Sequence, residues 1–326
     1  MELFTYLGLA FLTVFFSLSR DIVSSRRMFF FIWVVAYIAL ILVVRTNFDF
    51  DMVRYADAMS YSSLSIYFLK EPVVWLGQRY LFSWIQNSFL VFAISDLLIG
   101  LVLFRSFRNF NLPQYAFFSI LIFFPFVLGM QNVYRQWVAT IFFLYCFSLV
   151  WRQTYGIKKY IMFAFSVLSH NVAAIFIPLL FFRQRRVLGK LLWYSSFLIA
   201  FIGIILGSDT KSSAETGADL AILYLLLLTF LIILIPLLDK GFIRKIRQLE
   251  YKLLFSLFLL SSFSVFVLSS AGAERVSMFC LMISYPILVS LFENRFKQKF
   301  IVRVLFSLIG FIPMFLFDVS VFILGT

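Results

Sequence analysis

Ten stretches of this chain, each close to the length of a bilayer span, carry few or no charges. They fall at about 2–18, 28–44, 88–104, 114–130, 137–151, 191–207, 220–238, 253–270, 276–292 and 304–324. A helix rising 1.5 Å per residue needs roughly 20 apolar residues to cross about 30 Å of hydrocarbon. Composition supports the same reading: 13% of the residues are charged, against about 25% in soluble domains. Fifteen acids and 28 basic residues cannot clothe 326 residues in a polar shell, which excludes a water-soluble enzyme. A disordered chain needs low apolar content, and two cysteines cannot build a disulfide scaffold. The expectation is an all-α, polytopic transmembrane bundle of about ten full spans, one integral membrane domain over 1–326. The opening Met1-Glu2-Leu3-Phe4 lacks a basic signal-peptide start and reads as part of a retained first span.

The net charge of +13 does not indicate nucleic acid, because the cations punctuate apolar segments and do not gather on one arm. They do fix an orientation, since lysine and arginine are held on the cytoplasmic side. Alternate loops, beginning with Arg20, Arg26 and Arg27 and ending with Arg295, Lys297, Lys299 and Arg303, hold 21 of the 28. Both chain ends are therefore expected outside. Segment 160–182 is apolar but interrupted by Ser169-His170-Asn171, and basic clusters flank it on both sides. A chain that enters and returns has roughly 11 residues per arm, about 16 Å of helix or half a bilayer. Two short helices in a re-entrant pair, with His170 near the apex, are expected. A single 23-residue span is the alternative.

The longest outer loop, about 45–87, is polar and mixed in charge, with Arg45, Asp49, Asp51, Arg54, Tyr55, Asp57, Lys70, Glu71 and Arg79. Helical spacing of apolar residues over Pro72–Phe82 predicts an interfacial helix within it. Arg135 and Arg275 each stand just before a span on the outer side, against the general bias. With Arg45 and Arg54 they are expected to meet at the outer boundary, where guanidinium groups suit bidentate binding of a diphosphate. Each arginine taken singly is equally an interfacial anchor. His170 is the only histidine, so sites needing two or three are excluded, and no Cys/His ligand spacing exists. It reads either as a hydrogen-bonded structural residue or as a general base. Cys146 and Cys280 read as small apolar residues. Asp96 and Asp318 lie within spans and have no visible cationic partner, a weak pattern for proton relay. Loop 208–219 has no expected role beyond that of a lid.

Several motifs together resemble the EpsG-like branch of the Wzy polysaccharide polymerases. They are Arg45, Asp51 and Tyr55 in order, then Glu71-Pro72, then Asn132-Val133-Tyr134-Arg135-Gln136 with Ala139. Ser169-His170 with Ala173 and a late Glu274-Arg275 follow. The chain departs from the family pattern at Asp49, where a glycine is usual, and at Leu168-Ser169 and Asn171-Val172-Ala173 around the histidine.

The resemblance implies a GT-C-like membrane glycosyltransferase of the bacterial inner membrane, with no cofactor or metal and its active site facing outward. Its donor and acceptor would be undecaprenyl-diphosphate-linked oligosaccharides, joined into O-antigen, capsule or exopolysaccharide. A chain-length regulator and a flippase of the same pathway, with membrane lipids, would be its partners. A developing diphosphate charge calls for prearranged cations, which points to Arg135 and Arg275 with Arg54 or Arg45 assisting. Proton removal from the acceptor hydroxyl suits His170, then Asp51 or Glu71. Tyr55, Trp75, Tyr80 and Gln136 are candidates for sugar contact. An O-antigen ligase and a flippase or transporter of lipid-linked oligosaccharide are the competing functions. A transporter commonly shows matching broken helices in two halves, and only one broken segment is visible here.

Overall fold

A computed structural model describes residues 2–46, 51–61, 66–154, 156–183, 187–207, 220–238, 249–295 and 299–311. Every regular element among them is helical. All ten apolar runs lie on helices, the last only in part, because residues 312–326 and Asp318 fall outside the described residues, as do loop 208–219 and Asp49. Among the described residues, four helices are long and apolar enough to cross a membrane by length and composition: Arg26–Thr46, Ser88–Phe110, Leu249–Val267 and Ser270–Asn294. A fifth is added if Gln114–Ile122 and Phe124–Gln131, bent by 55°, form one broken span. Four or five candidate spans thus stand where about ten were expected. Leu3–Ser17, Gly189–Ile205 and Leu220–Ile233 are apolar but shorter, below the roughly 20 residues a perpendicular crossing needs.

The helices fall into two compact units, Met1–Leu149 with Gly156–Asn171 and Gln298–Thr326, and Val150–Tyr155 with Val172–Lys297. In the first, α1 (Glu2–Ser17) and α2 (Arg26–Thr46) are followed by α3 (Asp51–Ser60), a 3-10 turn at Ile66–Lys70 and α4 (Pro72–Ile85). Then come α5 (Ser88–Phe110), the broken pair α6 (Gln114–Ser119) and α7 (Phe124–Gln131), α8 (Tyr134–Trp151) and α9 (Lys158–Ser169). Local chemistry sets the boundaries. Pro72 opens α4, its missing N–H costing nothing in a first turn. Asn87 caps α5 by accepting the Leu90 N–H at 3.1 Å. Gln86 and Asn111 end α4 and α5 in left-handed conformation.

Helix α2 packs on α5, α4 on α3, α5 and α9, and α1 on α2 and α6. Gly100 lets α2 approach α5 closely, because a Cβ there would overlap the Tyr37 ring. Loops placed on one side by the charge rule meet at one end of this unit. Arg20 donates to the Asn111 carbonyl at 3.2 Å, and the Gln114 amide oxygen accepts the Ile22 and Val23 N–H groups. Arg303 donates to the Ser17 carbonyl at 2.9 Å.

In the second unit, Ser270–Arg295 packs against Leu249–Val267 and α11 (Leu220–Leu238), while α10 (Val187–Gly207) also borders Leu249–Val267. The window of Ser270–Asn294 is 94% buried, against 39–44% for the other three candidate spans. Apolar residues all round this helix therefore face protein. Arg183 donates to the Trp151 carbonyl and lies 5.0 Å over its indole ring. The chain beyond the segment around His170 thus returns to the residue at which α8 ended.

Candidate functional site

Helix α9 stops at Ser169. His170 takes an extended conformation, φ −158° and ψ 126°, and its N–H still bonds the Ser166 carbonyl. A 3-10 helix, Asn171–Leu180, follows. The expected break therefore falls at His170, and two short helical arms flank it. Ser166 ties α9 to α8 by donating to the Ala139 carbonyl at 2.7 Å. Helix α4 supplies the opposite wall. Glu71 just before it, Trp75 and Gln78 share one face, being spaced four and three apart, and all three are buried.

Glu71 is the hub. One carboxylate oxygen, Oε2, accepts from Arg135 Nη1. The other, Oε1, lies 3.9 Å from His170 Nε2 and accepts the Asn171 N–H at 3.4 Å. Arg135 Nε donates to the Tyr55 hydroxyl at 3.0 Å. Its guanidinium also sits 5.0 Å from the Trp75 ring centroid and 5.5 Å from that of Tyr55, within cation–π range. The Tyr55 and Trp75 rings are 5.0 Å apart. Arg135 and the adjacent His170 and Asn171 thus address one carboxylate, and Tyr55 holds Arg135 from behind.

Other expected site residues have different surroundings. Arg45 is buried in the last turn of α2 and is bound bidentately to Asp96, with Nε to Oδ2 at 2.6 Å and Nη2 to Oδ1 at 3.2 Å. Both side chains have no exposure. A guanidinium closed off in this way has no face to offer a diphosphate, so the expected diphosphate contact does not fit Arg45. The same pairing corrects the reading of Asp96 as an acid without a cationic partner. Arg54 is exposed on α3. Tyr80 is 66% exposed and edges against Trp84, away from the Glu71 group. Gln136 is buried at the start of α8. The Asp51 side chain lies outside the described residues. Arg275 belongs to the second unit, near the start of Ser270–Arg295 and next to the buried Glu274.

One polar residue escaped the sequence reading. Gln78 is buried and its amide has no hydrogen-bond partner among the described residues; its spacing from Glu71 and Trp75 was the available signal. The pairing of Asp96 offered no such signal, because Arg45 is distant from it in sequence. Among the described residues no three His, Cys, Asp or Glu side chains gather as a metal ligand set.

Long, mostly apolar helices, with a cluster of ionisable and aromatic side chains buried in the first unit, define a polytopic helical membrane protein with a buried polar site. The EpsG family model matches residues 28–323, nearly the whole chain, and the protein belongs to that family. Membership points to a role of exopolysaccharide or O-antigen polymerase type. No curated protein and no solved structure matches the chain significantly.

Proposed function

We propose that this protein joins undecaprenyl-diphosphate-linked oligosaccharide repeat units into a surface polysaccharide, O-antigen or capsule, on the outer side of the bacterial inner membrane. The observation that carries this reading is the convergence of Arg135 and His170 on Glu71, with Tyr55 bonded to Arg135. In the reaction the bond between the donor's anomeric carbon and the diphosphate oxygen breaks, and a bond to the acceptor hydroxyl oxygen forms. Negative charge grows on the leaving undecaprenyl diphosphate, and a fixed guanidinium stabilises it without a metal. Arg135 takes that role, with Arg54 as a further diphosphate contact. The acceptor proton passes to His170, whose imidazole faces the Glu71 carboxylate at 3.9 Å. Asp51 is a further candidate base. Trp75 and Tyr55 offer rings, and Gln78 and Gln136 amides, to the sugars. The ten apolar runs would be spans of a GT-C-like bundle, and a flippase and a chain-length regulator would act beside it.

Deleting the gene and resolving surface polysaccharide on gels tests this reading. Single-unit products support a polymerase. Loss of all surface sugar would favour a flippase, and free unattached polymer a ligase; either overturns it.

A further inference from the structure

The buried Arg45–Asp96 pair has no part in the chemistry just described, yet it stands behind the residue that does. While bound to Asp96, the Arg45 guanidinium also lies 5.1 Å from the ring centroid of Tyr134 and 5.2 Å from that of Phe92. Phe92 meets Tyr134 edge-on at 5.4 Å, and Trp137 backs Tyr134 at 5.6 Å. The carboxylate is steadied in turn, since the Tyr37 hydroxyl bonds the Asp96 carbonyl at 3.0 Å and so ties α2 to that turn of α5. Tyr134 is 1% exposed and opens α8, and Arg135 is the next residue. With 3.6 residues per turn, neighbouring side chains point about 100° apart. Gripping Tyr134 on one side of α8 therefore sets the rotation of its first turn, and with it the direction of Arg135.

From this we infer that Arg45 and Asp96 are positioning residues, a buried charge pair that holds Arg135 onto Glu71 and Tyr55 through Tyr134. A purely stabilising role explains the pair poorly, because buried ion pairs are often replaced by apolar residues without loss of stability. The inference is geometric, and its consequence for turnover rests on the polymerase reading.

The test replaces the pair as a unit, Arg45→Met with Asp96→Leu, so that no charge is left buried alone. In an Arg135→Cys background the alkylation rate of the new thiol reports its direction, since Cys146 and Cys280 are buried. Removing the pair should raise that rate at least tenfold. In the arginine-containing protein, removing the pair should lower turnover of lipid-linked repeat units at least tenfold, while Arg135→Gln with and without the pair should be equally slow. An unchanged alkylation rate, or losses that multiply in the combined variant, would overturn the inference. If the pairless protein does not fold, Tyr134→Leu cuts the link with the pair intact and should give the same two results. Should the wild type join no repeat units, the polymerase reading fails and alkylation still decides this one.

Discussion

His170 Nε2 stands 3.9 Å from Glu71 Oε1, and this pairing is formed by a helix that ends at the histidine rather than running through it. Continuing α9 would carry residue 170 onward as one more helical position. The break turns the chain so that the imidazole and the Asn171 N–H both address the same carboxylate oxygen.

If that pairing takes up the acceptor proton, His170→Gln should slow turnover about 100-fold, the lower range of a general-base contribution. Donor binding should remain near the wild-type level, because the amide keeps the bulk of the ring and Arg135 is untouched. Single-turnover rates and equilibrium binding of undecaprenyl diphosphate separate the two effects. An unchanged rate would make His170 a structural residue.

Arg135→Lys should lose long polymer although the charge is kept. Arg135 donates through Nη1 to Glu71 and through Nε to Tyr55 while lying against two rings. An ammonium cannot reproduce that planar fork. Gel analysis of surface polysaccharide, with immunoblots showing equal protein, checks it; normal chain length would remove the arginine argument.

Apolar run length made the helices legible in the sequence, and the structure brings Arg20 to Asn111 and Arg303 to Ser17. The break at His170 was legible as well, because polar residues at that depth need a reason. Which cations face the site was not legible. Arg45 and Arg135 both precede or follow apolar runs on the outer side, and only three-dimensional pairing reveals that one is sealed against Asp96 and the other open to Glu71. The apolar lengths also overstated how many helices pass as full spans, since short helices such as Leu3–Ser17 read as apolar as long ones.

Gly100→Ala should destabilise the protein by about 1–3 kcal/mol, the usual range for an overpacked core. The added methyl would strike the Tyr37 ring, and with it the hydroxyl that bonds the Asp96 carbonyl. Thermal unfolding in detergent measures the loss. A variant as stable as the wild type would show that α2 and α5 do not pack this closely.

Sidedness gives a separate prediction. Thiols introduced by Asp57→Cys and Asp21→Cys, both at exposed positions, should react with an impermeant reagent from opposite faces of the membrane, the first from outside. Labelling of both from the same face would contradict the topology.

The most direct trial of the central claim is a purified reaction with Glu71→Gln. That substitution leaves the hub's shape but removes the charge that Arg135 and His170 share. Given lipid-linked repeat units in vesicles, the wild type should yield a ladder of polymer lengths and the folded variant only the starting unit. A variant that builds the ladder at the wild-type rate would show that Glu71 is not the centre of the site.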